Sequence, residues 1–112
     1  MSDLRDLPTG NLSEAEFQLK VQRFAEEHGW KWLHIPRSRV GKAWLTRARG
    51  PLAKGWFDLL LIRRERAAVA ELKTKVGRMK PEQEEVAGWC AGALEVYTWR
   101  PADWPEIVGV LE

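Results

Sequence analysis

The chain has 112 residues, a formal charge of +2, 45% apolar residues and 30% charged ones. That length supports one core and no second domain, and that composition excludes wholesale disorder. A single cysteine, Cys90, excludes an internal disulfide and a cysteine-rich zinc site, while no leader-like or membrane-spanning apolar run occurs, so a soluble protein of a reducing compartment is expected.

Residues 1–12, with Pro8, Gly10 and Asn11, read as a flexible arm ahead of a single domain spanning 13–112. Ser13 followed by Glu16 is a capping box that starts a helix. Phe17, Val21, Phe24 and Ala25 then recur at helical spacing until Gly29 stops the run. Trp30, Trp32 and Ile35 alternate with polar positions, which predicts a short strand ended by Pro36. Residues 36–54 show no clean period and predict a long functional loop. That loop carries Arg37, Arg39, Lys42, Arg47, Arg49 and Lys54, and no acid occurs from Gly29 to Phe57. Such a block is either a solvated loop or a surface lying along phosphates.

Two strand-like runs, 56–62 and 67–73, flank Arg63-Arg64-Glu65-Arg66 and predict a hairpin. The first looks buried on both faces, because Phe57 to Ile62 shows no polar alternation beyond Asp58. Pro81 opens a second helix, with Glu82, Glu84 and Glu85 suiting its positive end and Val86, Trp89 and Cys90 as its apolar face. A fourth strand spans 94–99. Asp103 is expected to cap a last helix with the stripe Trp104, Ile107, Val108 and Leu111. The order αβββαβα predicts an α/β sandwich: a central mixed four-stranded sheet flanked by helices.

Pairing Ile62 with Ala67 sets Asp58 opposite Glu71 and Trp56 opposite Lys73, so Asp58, Glu71 and Lys73 share a face. Directly opposed carboxylates are unfavourable unless a positive group lies between them, and a divalent cation with oxygen ligands answers that need. On the first helix, Glu14 falls within roughly 40° of the apolar direction, given about 100° per residue, while Glu16 points away and is accounted for by the capping box. Gln83 lies three residues before Val86 and faces inward, where it could orient a water or a phosphate. His34 could contact substrate, and Trp44 could stack on an unpaired base. Trp89 and Trp104 read as core.

These residues resemble the PD-(D/E)xK nuclease superfamily, and more closely its small stand-alone VRR-NUC (virus-type replication-repair nuclease) family of phages and prophages. The resemblance is carried by Glu14, the Gly55-Trp56-Phe57-Asp58 turn, Ala70-Glu71-Leu72-Lys73, Lys80-Pro81-Glu82-Gln83 and the segment from Val96 to Pro101. One departure is Phe57, where the family usually has proline before the acid. The resemblance implies a restriction-endonuclease-like core and a Mg²⁺- or Mn²⁺-dependent endodeoxyribonuclease in a bacterial or phage-infected cytoplasm. Asp58, Glu71 and the Leu72 carbonyl would bind metal, Lys73 would position or activate the attacking water, and Glu14 and Gln83 would complete the catalytic set. Apart from what the resemblance implies, His34, Arg37, Arg39, Lys42, Trp44, Lys75 and Lys80 are expected to contact DNA. A homodimer resolving Holliday junctions is the implied activity. A nicking or flap-cutting nuclease and a non-catalytic DNA-binding module are the alternatives.

Overall fold

The computed structural model of the chain describes residues 12–40, 43–74 and 77–112, with side chains described outside 37–46. Helix α1 (Glu14–Glu27) starts on the expected capping box: Ser13 Oγ accepts from the Glu16 N–H, and Glu16 Oε1 accepts from the Ser13 N–H. It ends where Gly29 takes φ +84°, a conformation open to glycine at no steric cost. Phe17, Val21, Phe24 and Ala25 are all fully buried.

A four-stranded sheet follows, in the spatial order β1 (Lys31–Leu33), β4 (Leu59–Arg63), β5 (Arg66–Leu72) and β6 (Glu95–Trp99). The first two pairings are antiparallel and β5–β6 is parallel, so the sheet is mixed, as expected. The connection from β5 to β6 runs through α2 (Pro81–Cys90), the crossover that a parallel pair requires. Helix α3 (Trp104–Leu111) closes the chain. One face of the sheet packs Leu59, Leu61, Ala68, Ala70, Leu72 and Trp99 against α1 and α3. A smaller cluster of Phe57, Val69, Val86 and Cys90 joins the other face to α2. Fully burying such a side chain is worth about 1.5–3 kcal/mol, and both clusters press on β5, the strand that carries Glu71.

Several expectations are corrected. The stretch 36–54 is not all loop: β2 (Arg37–Val40) and β3 (Ala43–Thr46) form a separate two-stranded ribbon with Arg39 opposite Trp44. Leu12, placed in the arm, packs against the core, while residues 1–11 lie outside the described residues. The hairpin turn holds two residues rather than four, with Arg64 at φ +53°. β4 is not buried on both faces, because Ile62 is 40% exposed. Trp89 is not core: α2 buries Gln83, Val86 and Cys90, and the indole, to one side of that face, stands 56% exposed. Asp103 does not cap α3: its Oδ2 accepts from the Arg100 N–H and closes a preceding 3₁₀ turn, Pro101–Asp103. No helix among the described residues is long and apolar enough to cross a membrane.

Candidate functional site

The hairpin register is the expected one: Ile62 opposes Ala67 and Leu59 opposes Ala70. Continued by one residue it sets Asp58 against Glu71, but the ladder stops at Leu59. Asp58 instead sits in the turn before β4, where its carboxylate Oδ2 accepts from the Leu72 N–H at 2.7 Å. The side chain replaces a strand partner for that main-chain donor. The expected opposition of Trp56 and Lys73 is absent because the ladder has already ended; the Lys73 N–H donates to the Trp99 carbonyl of β6.

The turn carrying Asp58 is held by packing. A 3₁₀ turn, Ala53–Gly55, lies on the first turn of α2 so closely that a Cβ on Gly55 would sit 2.1 Å from the Glu82 carbonyl oxygen. Phe57, in the place where the resembled family has proline, is 2% exposed and anchors the turn in the smaller cluster. Hydrophobic burial there does the restraining that a proline ring would do covalently.

Glu71 is 2% exposed and lies opposite Thr98 in β6. Burying an ionised carboxylate costs several kcal/mol unless opposite charge and hydrogen bonds compensate, and the Lys73 ammonium lies 3.6 Å from Glu71 Oε1. Lys73 is in turn aimed by α2: its Nζ donates to Gln83 Oε1 at 3.1 Å, and the same oxygen accepts the Lys80 N–H at 2.9 Å. Gln83 is therefore a helix-capping residue and a lysine holder at once. Arg100 tethers the segment after Lys73 by donating from its guanidinium to the Thr74 carbonyl. His34 lies just beyond β1, and its Nδ1 is 2.8 Å from the Asp58 carbonyl oxygen.

Glu14, His34, Asp58, Glu71, Lys73, Lys80 and Gln83 line one cleft of about 500 Å³. It opens at the end of the sheet where β4 begins and β5 ends, and the N-terminal turns of α1 and α2 border it. Glu14 is exposed at the rim rather than aimed into the core. Glu16 is outside the cleft and its carboxyl is held below the usual range by the hydrogen bonds with Ser13. Sequence reasoning missed Gln18, which lines the cleft one turn after Glu14; the i, i+4 spacing was the available signal. Arg37, Arg39 and Trp44 are placed only by the ribbon's backbone register, and Lys42 and Lys75 lie outside the described residues.

A larger cleft of about 780 Å³, beside the hairpin turn, is lined by His28, Gly29 and residues 63–66. It lies at the opposite end of β4 and β5 and has no pair of carboxylates. Its Arg63 guanidinium is occupied, donating to the carbonyls of His28, Leu111 and Glu112.

Among the described residues, no group of three or more His, Cys, Asp and Glu residues could by itself hold a metal ion. The donors in the main cleft still suit a hard cation. Asp58 and Glu71 bring carboxylate oxygens to the same cleft, the Leu72 carbonyl follows Glu71 in the chain, and water would complete the shell, as is usual for Mg²⁺. The chain matches no protein-family model, no curated protein and no solved structure.

Proposed function

We propose that this chain is a metal-dependent phosphodiesterase that cuts DNA, of the PD-(D/E)xK type. The observation that carries the reading is the meeting of Asp58, Glu71, Lys73 and Gln83 in one cleft, with the lysine held between the glutamate and the glutamine. Asp58, Glu71 and the Leu72 carbonyl would hold Mg²⁺ or Mn²⁺. The ion supplies Lewis acidity toward a phosphate oxygen and an activated water.

The chain's own residues do the rest. Leu72 N–H holds one oxygen of Asp58 and so orients the carboxylate. Gln83 fixes the Lys73 ammonium beside Glu71, where it meets negative charge that grows on the phosphate during attack. Glu14 and Gln18 form the α1 wall. The stretch from Gly29 to Phe57 contains lysines and arginines and no acid, a composition that would favour the nucleic-acid backbone.

Branched DNA, specifically a four-way junction cut by a homodimer, is the proposed target, and this part rests on the sequence resemblance. A two-fold pair of sites would suit symmetric incisions. The test is a panel of junction, flap, single-stranded and linear duplex DNA, each with and without Mg²⁺ or Mn²⁺. Junction cleavage that needs metal and is abolished by Lys73→Ala is expected. Preference for flap or nicked DNA would keep the chemistry and change the target. Junction binding without cleavage of any substrate would replace the enzyme with a binding module.

A further inference from the structure

We propose that His34 is a positioning residue for Asp58, acting through Nδ1, so that metal affinity depends on a histidine that is not a ligand. The inference rests on the metal-binding reading of the cleft. The partner of Nδ1 is the Asp58 carbonyl oxygen at 2.8 Å. A carbonyl only accepts, so Nδ1 carries the hydrogen and the tautomer is fixed by the contact. Asp58 is thus gripped at two points: its main-chain oxygen by the end of β1, and its carboxylate Oδ2 by the Leu72 N–H at the end of β5.

The grip matters because of what lies between the two residues. Between His34 and Asp58 the chain leaves the sheet for residues 35–57, which include the β2–β3 ribbon. The β1–β4 ladder, which ends with Leu33 opposite Leu60, already brings the two ends of this excursion together, and the side-chain contact extends that closure to the main chain of Asp58. The His34 contact fixes the Asp58 main chain and the Leu72 contact fixes one oxygen of its carboxylate. The contact His34 makes with Asp58 is to its main chain and not to its carboxylate, so in this proposal His34 stands behind Asp58 rather than in the ligand set. Outer partners of this kind typically change metal affinity by about 10–100-fold.

The experiment titrates Mn²⁺ into the intact protein by calorimetry, for wild type, His34→Ala, His34→Asn and His34→Gln, with melting curves for each. The asparagine amide can place an N–H where Nδ1–H sits; the glutamine amide reaches toward the Nε2 position. Expected is an affinity loss of about 10–100-fold in His34→Ala, restored by His34→Asn and not by His34→Gln. If His34→Ala fails to fold, the Asn and Gln variants decide the matter between them. Nitrogen-15 NMR of the metal-free protein reads the tautomer independently, with the proton expected on Nδ1. A proton on Nε2, or unchanged affinity in His34→Ala, or rescue by Gln in place of Asn, overturns the inference alone. A wild-type protein that binds no Mn²⁺, yet has the Nδ1 proton, overturns the metal reading and this inference with it.

Discussion

Gly55→Ala should unfold the protein more easily and disarm it at the same time. The added Cβ would lie 2.1 Å from the Glu82 oxygen, 2.6 Å from the Glu82 carbonyl carbon and 2.8 Å from Val86 Cγ2. Two of these neighbours are helix backbone, so relief requires α2 and the Asp58 turn to separate by about 1 Å, which as core overpacking costs about 1–3 kcal/mol. For a domain near this size that is a fall in Tm of about 4–8 °C per kcal/mol. The same shift moves Gln83, which sits in the first turn of α2 and holds Lys73. Misplacement by about 1 Å can cost about 100-fold in rate. Gly88→Ala, in the same helix with nothing within 4 Å of its added Cβ, should instead stabilise by about 0.5–1 kcal/mol. Differential scanning calorimetry of the two variants beside wild type decides the matter. A Gly55→Ala protein melting at or above the wild-type temperature would refute the packing argument, and with it the claim that α2 sets the position of Gln83.

Three further outcomes are expected away from the cleft. Glu95 accepts two hydrogen bonds from Arg66 and one from Tyr97, which bring its pKa from 4.5 down to about 2. The folded value lies below the unfolded one, so the stabilisation is complete above pH 4.5 and is lost as pH falls toward 2. Because the pair is partly exposed, its worth is about 0.5–1 kcal/mol; urea melts of wild type and Glu95→Gln should differ by that amount at neutral pH and converge near the acid limit. Arg63→Ala removes donors to the ends of α1 and α3 and should cost about 2 kcal/mol, read by the same melts. Arg64→Gly relieves a side chain from φ +53° and should stabilise by up to about 1 kcal/mol, whereas a destabilised variant would contradict the strain assigned to that turn.

The parts of the fold that were legible in the sequence are those where burial imposes a period. Phe17, Val21, Phe24 and Ala25 mark α1 because one face meets the sheet, and the hairpin register follows from apolar residues that can face the core in only one phase. The ribbon was illegible because its residues, 37–46, carry no period set by the main core. Trp89 misled because an indole next to apolar positions reads as core, but the buried face of α2 is Gln83, Val86 and Cys90, and at about 100° per residue Trp89 lies to one side of it. The cleft was partly legible. Asp58, Glu71, Lys73 and Gln83 line one cleft with Glu14 at its rim, although Asp58 and Glu71 are not the opposed ladder pair that the spacing implied. Two features of their arrangement depend on tertiary contact and had no sequence signal: Asp58 leaves the ladder to hold the Leu72 N–H, and Gln83 serves Lys73 through the first turn of α2. His34 bonding to the Asp58 main chain, 24 residues away, is of the same kind.

The most direct test of the central claim is cleavage of a labelled four-way junction by the intact protein with Mn²⁺, with excess chelator, and with Glu71→Gln in place of wild type. That substitution keeps the shape of a side chain that is 2% exposed and removes the charge that would hold the cation. Strand scission by wild type with Mn²⁺, none with chelator and none by a folded Glu71→Gln protein is the predicted result. Equal cleavage by wild type and Glu71→Gln, or no metal-dependent scission of any DNA by wild type, would contradict it.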